Sequence, residues 1–110
     1  MDLSNNFRGE FKVSFKNKEQ DALFTMNAIR LILKNEGIEL KDFDSWVSSD
    51  PLTAVPLIAY YSVANRQMYA GKKFSANKDQ FIAEILDSGQ IEVVSEAIAS
   101  AMDTGAKGKK

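Results

Sequence analysis

The segment from Asp50 to Gly71 constrains the fold of this chain more than any other. It opens with Asp-Pro, which combines an N-cap residue with a proline at the first helical position, where the missing N–H would have no partner anyway. Apolar residues then recur at helical spacing until Gly71, although Pro56 removes one internal hydrogen bond. These apolar residues are Ala54, Leu57, Ile58, Tyr61, Ala64 and Met68. The pattern predicts a long central helix that other elements must cover.

Two further helices are predicted after this central one. The first opens at Ser75 or Asn77 and closes at Gly89, and the second spans Gln90 to Met102. Their apolar residues are Phe81, Ile82, Ile85 and Leu86 in the first, and Ile91, Val94, Ile98 and Met102 in the second. From Asp103 the apolar pattern stops, which predicts a flexible basic tail over residues 104–110.

The chain before the central helix begins with a different pattern. Apolar and polar residues alternate from Phe7 to Lys16, which predicts a half-buried strand. Asn17 stands at an N-cap position with Gln20 three residues on, and an apolar helical spacing continues to Gly37, so residues 18–36 are predicted to form a helix. The sequence does not determine the secondary structure of the segment from Lys41 to Val47. One possibility is a helical turn that places Phe43 and Trp46 inward.

Together these segments predict a mainly α protein with about four to five helices in a compact bundle preceded by an N-terminal β-strand. Residues 1–103 are expected to form a single domain. The strand has no equally clear partner strand in the sequence. Either Ile38–Leu40 or an unrecognised extended piece pairs with it inside the monomer, or it pairs across a dimer or with another protein.

The residue types that most active sites require are missing or poorly arranged. The chain has no His and no Cys, which removes the commonest general base and the strongest nucleophile. Acidic pairs at helical spacing are usually solvated. The pairs are Asp42 with Asp44, Glu84 with Asp87 and Glu92 with Glu96. Gly71-Lys72-Lys73 lacks the other residues of a phosphate loop and is interpreted as a helix end. We therefore expect no enzyme, no cofactor and no metal site.

Charge and hydropathy narrow the choice of partners. Residues 1–103 contain 11 basic and 15 acidic residues, a net charge of about −4, and the remaining basic residues lie in the tail. An acidic body argues against nucleic-acid binding. No apolar run is long enough for a membrane helix, and the N-terminus does not have the pattern of a signal peptide. We expect a soluble cytoplasmic protein that binds neither nucleic acid nor membrane.

Candidate binding residues lie on the central helix and on the strand. Tyr60 and Tyr61 are about 100° apart around the helix axis, so both cannot face one core. Tyrosine is enriched at protein interfaces, and the predicted partner contacts are Tyr60, Tyr61, Met68 and Tyr69. A helix buried on all sides is the alternative. Self-association is predicted for the strand residues Phe11, Val13 and Phe15.

The layout of residues 7–103 resembles the tail assembly chaperones of long-tailed, siphovirus-type bacteriophages and related prophages. The resemblance comprises the Phe-and-charge strand, an amphipathic helix, an Asp/Ser-rich loop, the helix beginning Pro51-Leu52-Thr53-Ala54-Val55-Pro56, and the two helices from Ser75 onward. It implies a small non-enzymatic protein of the host cytoplasm that binds the tape measure protein, keeps it soluble and recruits tail tube subunits. Such proteins are absent from the mature virion. The family often has two adjacent strands before the first helix, whereas one is clear here.

The C-terminus adds a feature of the same family, whose members are often made in a short and a long form by ribosomal frameshifting. The codons for Lys107-Gly108-Lys109-Lys110 can form a slippery sequence, although a plain solubilising tail is equally consistent with these residues. The alternative function is a small dimeric, antitoxin-like regulator that reads DNA with a strand paired across a two-fold axis. An enzyme that uses only carboxylates and lysines is a third and less favoured interpretation.

Overall fold

The computed structural model describes residues 9–107. The elements in chain order are β1 (Glu10–Phe15), β2 (Lys18–Leu23), α1 (Met26–Glu36), a 3-10 turn (Leu40–Asp42), α2 (Phe43–Ser49), α3 (Pro51–Tyr69), α4 (Lys78–Asp87) and α5 (Ile91–Lys107). The predicted mainly α class with an extended N-terminal segment is confirmed. The Phe7 end of the predicted strand lies outside the described residues.

The first two elements form a β-hairpin in place of a strand and a helix. β1 and β2 pair antiparallel, with Phe15 opposite Lys18 and Glu10 opposite Leu23. Lys16 and Asn17 connect them with positive φ angles of 53° and 63°, as a two-residue type I′ turn requires. The prediction that the first helix begins at residue 18 is therefore wrong. Asn17 is a turn residue that tolerates left-handed backbone, and it does not cap a helix.

The hairpin supplies the partner that the sequence did not reveal for the first strand. Side chains from the helical part of the chain cover the edge of β1 that faces away from β2. The Gln90 side chain accepts a bond from the Ser14 N–H (2.6 Å) and donates one to the Ser14 carbonyl (2.8 Å). The Lys16 N–H donates to Glu84 at 2.9 Å. Side chains of α4 and of the α4–α5 connection thus satisfy backbone groups that a third strand would otherwise pair.

Helix α3 lies at the centre of the fold, as predicted. It packs against β2, α1, α2, α4 and α5, and every residue from Ala54 to Ala59 is buried. Burial decreases toward the C-terminal end of the helix, where Met68 and Tyr69 are exposed by 47% and 59%. The predicted start at Pro51 is confirmed, and Asp50 occupies the N-cap position without a side-chain cap bond.

The remaining helices begin and end mostly at the predicted signals. α1 ends at Gly37, whose φ of 70° is left-handed, and the Lys41–Val47 segment is helical with Phe43 buried. Asn77 caps α4 by accepting a bond from the Gln80 N–H at 2.9 Å.

Helix α5 is longer than the sequence indicated. It continues to Lys107, past the predicted end at Met102, and the flexibility predicted for residues 104–110 stays a prediction. Residues 108–110, and with them most of the Lys-Gly-Lys-Lys motif, lie outside the described residues. None of the helices between residues 9 and 107 combines the length and apolar character needed to cross a bilayer.

Candidate protein-binding groove

A groove of about 410 Å³ lies between α1, the second half of α3 and the segment that leads into α4. We call it the Tyr60 groove. It is lined by Leu31, Asn35, Tyr60, Tyr61, Ala64, Met68, Lys72, Lys73, Phe74 and Lys78. Apolar and aromatic side chains alternate there with lysines, and no acidic residue is among them. This composition suits a partner segment with an apolar stripe.

Tyr60 anchors a rigid aromatic cluster in the groove. Its ring centroid lies 5.1 Å from that of Tyr61, 5.3 Å from that of Phe74 and 5.6 Å from that of Phe81. Its hydroxyl donates to the Ala76 carbonyl at 3.2 Å. Because these rings already hold one another in place, they would lose little side-chain entropy when a partner binds.

A polar cluster involves two of the lining residues, Tyr61 and Lys78. Glu36 accepts hydrogen bonds from the Tyr61 hydroxyl and the Lys78 ammonium, each at 2.7 Å. Burial alone would raise the pKa of Glu36, but the bonds from Lys78 and Tyr61 outweigh it and hold that pKa below 4.5. Burial, followed by the bond to Glu36, raises the pKa of Tyr61 to about 12. At neutral pH the cluster is therefore an ionised Glu36 clamped by a charged Lys78 and a neutral tyrosine, which ties α1, α3 and α4 together.

The other two lysines of the groove have no such partner. Within residues 9–107, the ion pairs of the structure involve Lys12, Lys41 and Lys78, and neither Lys72 nor Lys73 has a carboxylate within 4.0 Å. Both are exposed. The groove therefore has a positive rim on a chain whose residues 1–103 carry a charge of about −4.

Buried Asn65 sets the position of the groove walls. It is fully buried on α3, and its amide donates to the Leu23 carbonyl (2.9 Å) and the Thr25 hydroxyl (3.1 Å). Its oxygen accepts a bond from Asn27 at 2.7 Å. These bonds fix the start of α1 against α3, and the groove lies between the same two helices further along.

Three of the four predicted partner contacts line this groove. Tyr61 is buried, with 7% of its surface exposed, Tyr60 is half-buried and Met68 is exposed. Tyr69 is exposed on the next position of α3 but does not line the groove. The sequence did not point to Leu31, Phe74 or the lysines, because these come from other elements and no local spacing relates them to α3.

The three predicted self-association residues differ in burial. Val13 and Phe15 lie in the core with exposures of 2% and 5%, and the Phe15 ring packs on Phe81 at 5.1 Å. Phe11 is half-buried and lines a separate depression with Arg66. Association through Val13 or Phe15 would thus require the core to open, and Phe11 is the one of the three at the surface.

A second apolar surface lies on the outer side of α1. We call it the α1 patch, and it is lined by Met26, Ile29, Arg30, Leu33, Lys34 and Leu40. Met26 and Leu40 are exposed by 66% and 60%. The patch is apolar like the Tyr60 groove, but none of its lining residues is aromatic. Over the described residues, no group of three or more acidic side chains is arranged to hold a metal ion.

Comparison with known proteins found no matching family model, no matching curated protein and no matching solved structure.

Proposed function

We propose that this protein is a non-enzymatic tail assembly chaperone of a long-tailed bacteriophage or prophage, which holds a helical segment of the tape measure protein in the Tyr60 groove. The observation that carries the proposal is the groove itself, a rigid aromatic surface formed where the predicted contact residues Tyr60, Tyr61 and Met68 meet side chains of α1 and the α3–α4 segment. The protein would act in the host cytoplasm and be absent from the mature virion.

The β-hairpin also supports this proposal. The sequence departed from the chaperone family by showing one clear strand before the first helix, whereas β1 and β2 lie adjacent before α1 in the structure. The order of a hairpin followed by helices is thus the layout to which the resemblance pointed.

The physical role follows from the properties of a long helical partner. A tape measure protein that is not yet enclosed by the tail tube exposes apolar surface, which aggregates unless it is covered. A groove with a preformed apolar floor covers one face of a helix, and the partner residues would occupy it at i, i+3 or i+4, and i+7 spacing. The acidic body keeps the complex apart from other copies by charge repulsion. Recruitment of tail tube subunits would use another surface.

A matched pair of double variants tests the proposal. Met68→Gln with Tyr69→Ser alters two exposed side chains, Met68 in the groove and its neighbour Tyr69 beside it, whereas Met26→Gln with Leu40→Ser makes comparable changes on the α1 patch. Tyr60 is left intact because its ring packs on Phe81 in the core. Each chain would be co-expressed with the long helical open reading frame expected downstream of its gene.

We expect the Met68/Tyr69 variant to bind the tape measure protein about thirty-fold more weakly, which corresponds to about 2 kcal/mol of lost apolar contact. The soluble amount of the tape measure protein should fall with it, while the Met26/Leu40 variant behaves like the natural chain. Equal pull-down by all three chains, with unchanged circular dichroism, would refute the proposal.

The antitoxin-like alternative loses its main structural support. It depended on a strand that pairs across a two-fold axis, and β1 pairs instead with β2 of the same chain. Salt-sensitive binding to duplex DNA in a gel shift would nevertheless favour it over the chaperone function.

A further inference from the structure

We propose that the Tyr60 groove selects a partner helix whose apolar stripe is flanked by acidic residues, and that Lys72 and Lys73 pair with those carboxylates. This inference rests on the proposed function, since it specifies the chemistry of the segment bound in the same groove. The apolar floor would supply most of the affinity, and the two lysines would determine the specificity by favouring apolar helices that also carry carboxylates.

The charges around the groove lead to this choice of partner. Lys78 is neutralised by Glu36 at 2.7 Å, and Glu36 is also bonded to the Tyr61 hydroxyl, so this carboxylate is not available to Lys72 or Lys73. Those two lysines are exposed beside the floor with no carboxylate within 4.0 Å among residues 9–107. A carboxylate supplied by the partner would complete the pairing that the chain itself does not provide.

The negative charge of residues 1–103 makes this positive rim selective. Residues 1–103 carry about −4, so an acidic helix is repelled by most of the surface and attracted at the groove. The α1 patch also carries cations, Arg30 and Lys34, but the Arg30 side chain already donates to Asn27 at 2.9 Å and the patch has no aromatic floor. The groove is therefore the better fit for an acidic amphipathic helix.

Single-stranded nucleic acid is the other ligand that combines aromatic and lysine contacts, and the groove fits it less well. Base stacking needs exposed ring faces, whereas the rings of Tyr60 and Phe74 pack on each other and on Phe81. A nucleic acid also places one phosphate at every nucleotide against an acidic body. A short helix can limit its carboxylates to the two flanks of its apolar stripe.

Two synthetic peptides test the inference with the full-length chain. Each is an amphipathic helix of about five turns with leucines on one face, flanked by glutamates in one peptide and by lysines in the other. Fluorescence anisotropy would give the affinity of each for three chains: the natural one, the Lys72→Glu/Lys73→Glu variant, and the matched control Arg30→Glu/Lys34→Glu. All four substituted residues are exposed, so each variant is expected to fold.

We expect the glutamate peptide to bind the natural chain at least tenfold more tightly than the lysine peptide, with an affinity that falls as salt is added. Lys72→Glu/Lys73→Glu should weaken the glutamate peptide about tenfold or more, and the Arg30/Lys34 control should change it by less than about threefold. Equal binding of the two peptides would overturn the inference. So would sensitivity to the Arg30/Lys34 control alone, or tighter binding of oligo(dT) than of the glutamate peptide.

The outcomes for the inference and for the proposed function are separable. If the Met68/Tyr69 variant loses the tape measure protein while Lys72→Glu/Lys73→Glu keeps it, the groove is the binding site and the acidic-partner inference is wrong. If the Met68/Tyr69 variant keeps the tape measure protein, the proposed function is wrong whatever the peptides show.

Discussion

Replacing Asn65 with alanine would remove the polar contact that holds the hairpin and α1 against α3. Asn65 is fully buried and makes three hydrogen bonds, to Leu23, Thr25 and Asn27. Leu23 lies at a position of the hairpin where its carbonyl points away from β1, so the Asn65 amide is the partner that satisfies it.

The expected magnitude follows from these three bonds. A neutral hydrogen bond contributes about 1 kcal/mol, and a buried group left without a partner costs about 1–3 kcal/mol. Asn65→Ala should therefore lower the free energy of unfolding by about 3–4 kcal/mol, a large part of the roughly 5–15 kcal/mol typical of a domain. Urea denaturation followed by circular dichroism measures this loss as a lower midpoint at an unchanged slope.

Asn35→Ala is the matched control, because Asn35 is an exposed asparagine whose amide donates within its own helix, to the Leu31 carbonyl at 2.8 Å. It should change the free energy of unfolding by less than about 0.5 kcal/mol. A loss below about 1 kcal/mol for Asn65→Ala, close to that of the control, would show that water replaces the three bonds and that Asn65 does not hold α1 in place.

Two further predictions concern the hairpin and the polar cluster. Gly9→Ala should destabilise the protein by about 1–3 kcal/mol, since a Cβ there would overlap the Phe24 backbone; a melting temperature equal to that of the natural chain would contradict this close approach. Glu36 has a lowered pKa, so its contribution to stability is complete above the ordinary value of 4.5 and is lost as pH falls through the lower folded value. Glu36→Gln should therefore reduce the fall of the urea midpoint at acidic pH. An unchanged fall of the midpoint would show that ionised Glu36 does not stabilise the fold.

The helices after residue 50 could be predicted because their signals are local. Asp50-Pro51 marks the start of α3, Asn77 caps α4, and apolar residues at helical spacing mark the faces between such signals. A cap or a periodic face involves residues a few positions apart, and that range is visible in a sequence. The contact residues Tyr60, Tyr61, Met68 and Tyr69 were predicted on the same helix from the angle between its tyrosines and from the enrichment of tyrosine at interfaces.

The second strand could not be predicted in the same way. Lys18–Leu23 contains two buried apolar residues, Ala22 and Leu23, whose spacing from the later helix also fits a helical period. Pairing with β1 makes Lys18–Leu23 a strand. This pairing depends on the left-handed backbone of Lys16 and Asn17 and on the burial of Val13 and Phe15 beneath the helices. These contacts depend on the whole fold, so the local period gave the wrong element.

The sequence alone determined a central helix that begins at Pro51 and an acidic body, and it supplied a set of aromatic residues as candidate contacts. Only the tertiary structure decided that Leu31, Phe74 and the lysines join that helix in one groove. The clearest case is Glu36, which meets Lys78 at 2.7 Å across 42 positions of the chain. Such a contact is set by how α1 and α4 pack on α3, and packing geometry leaves no periodic signal in the order of the residues.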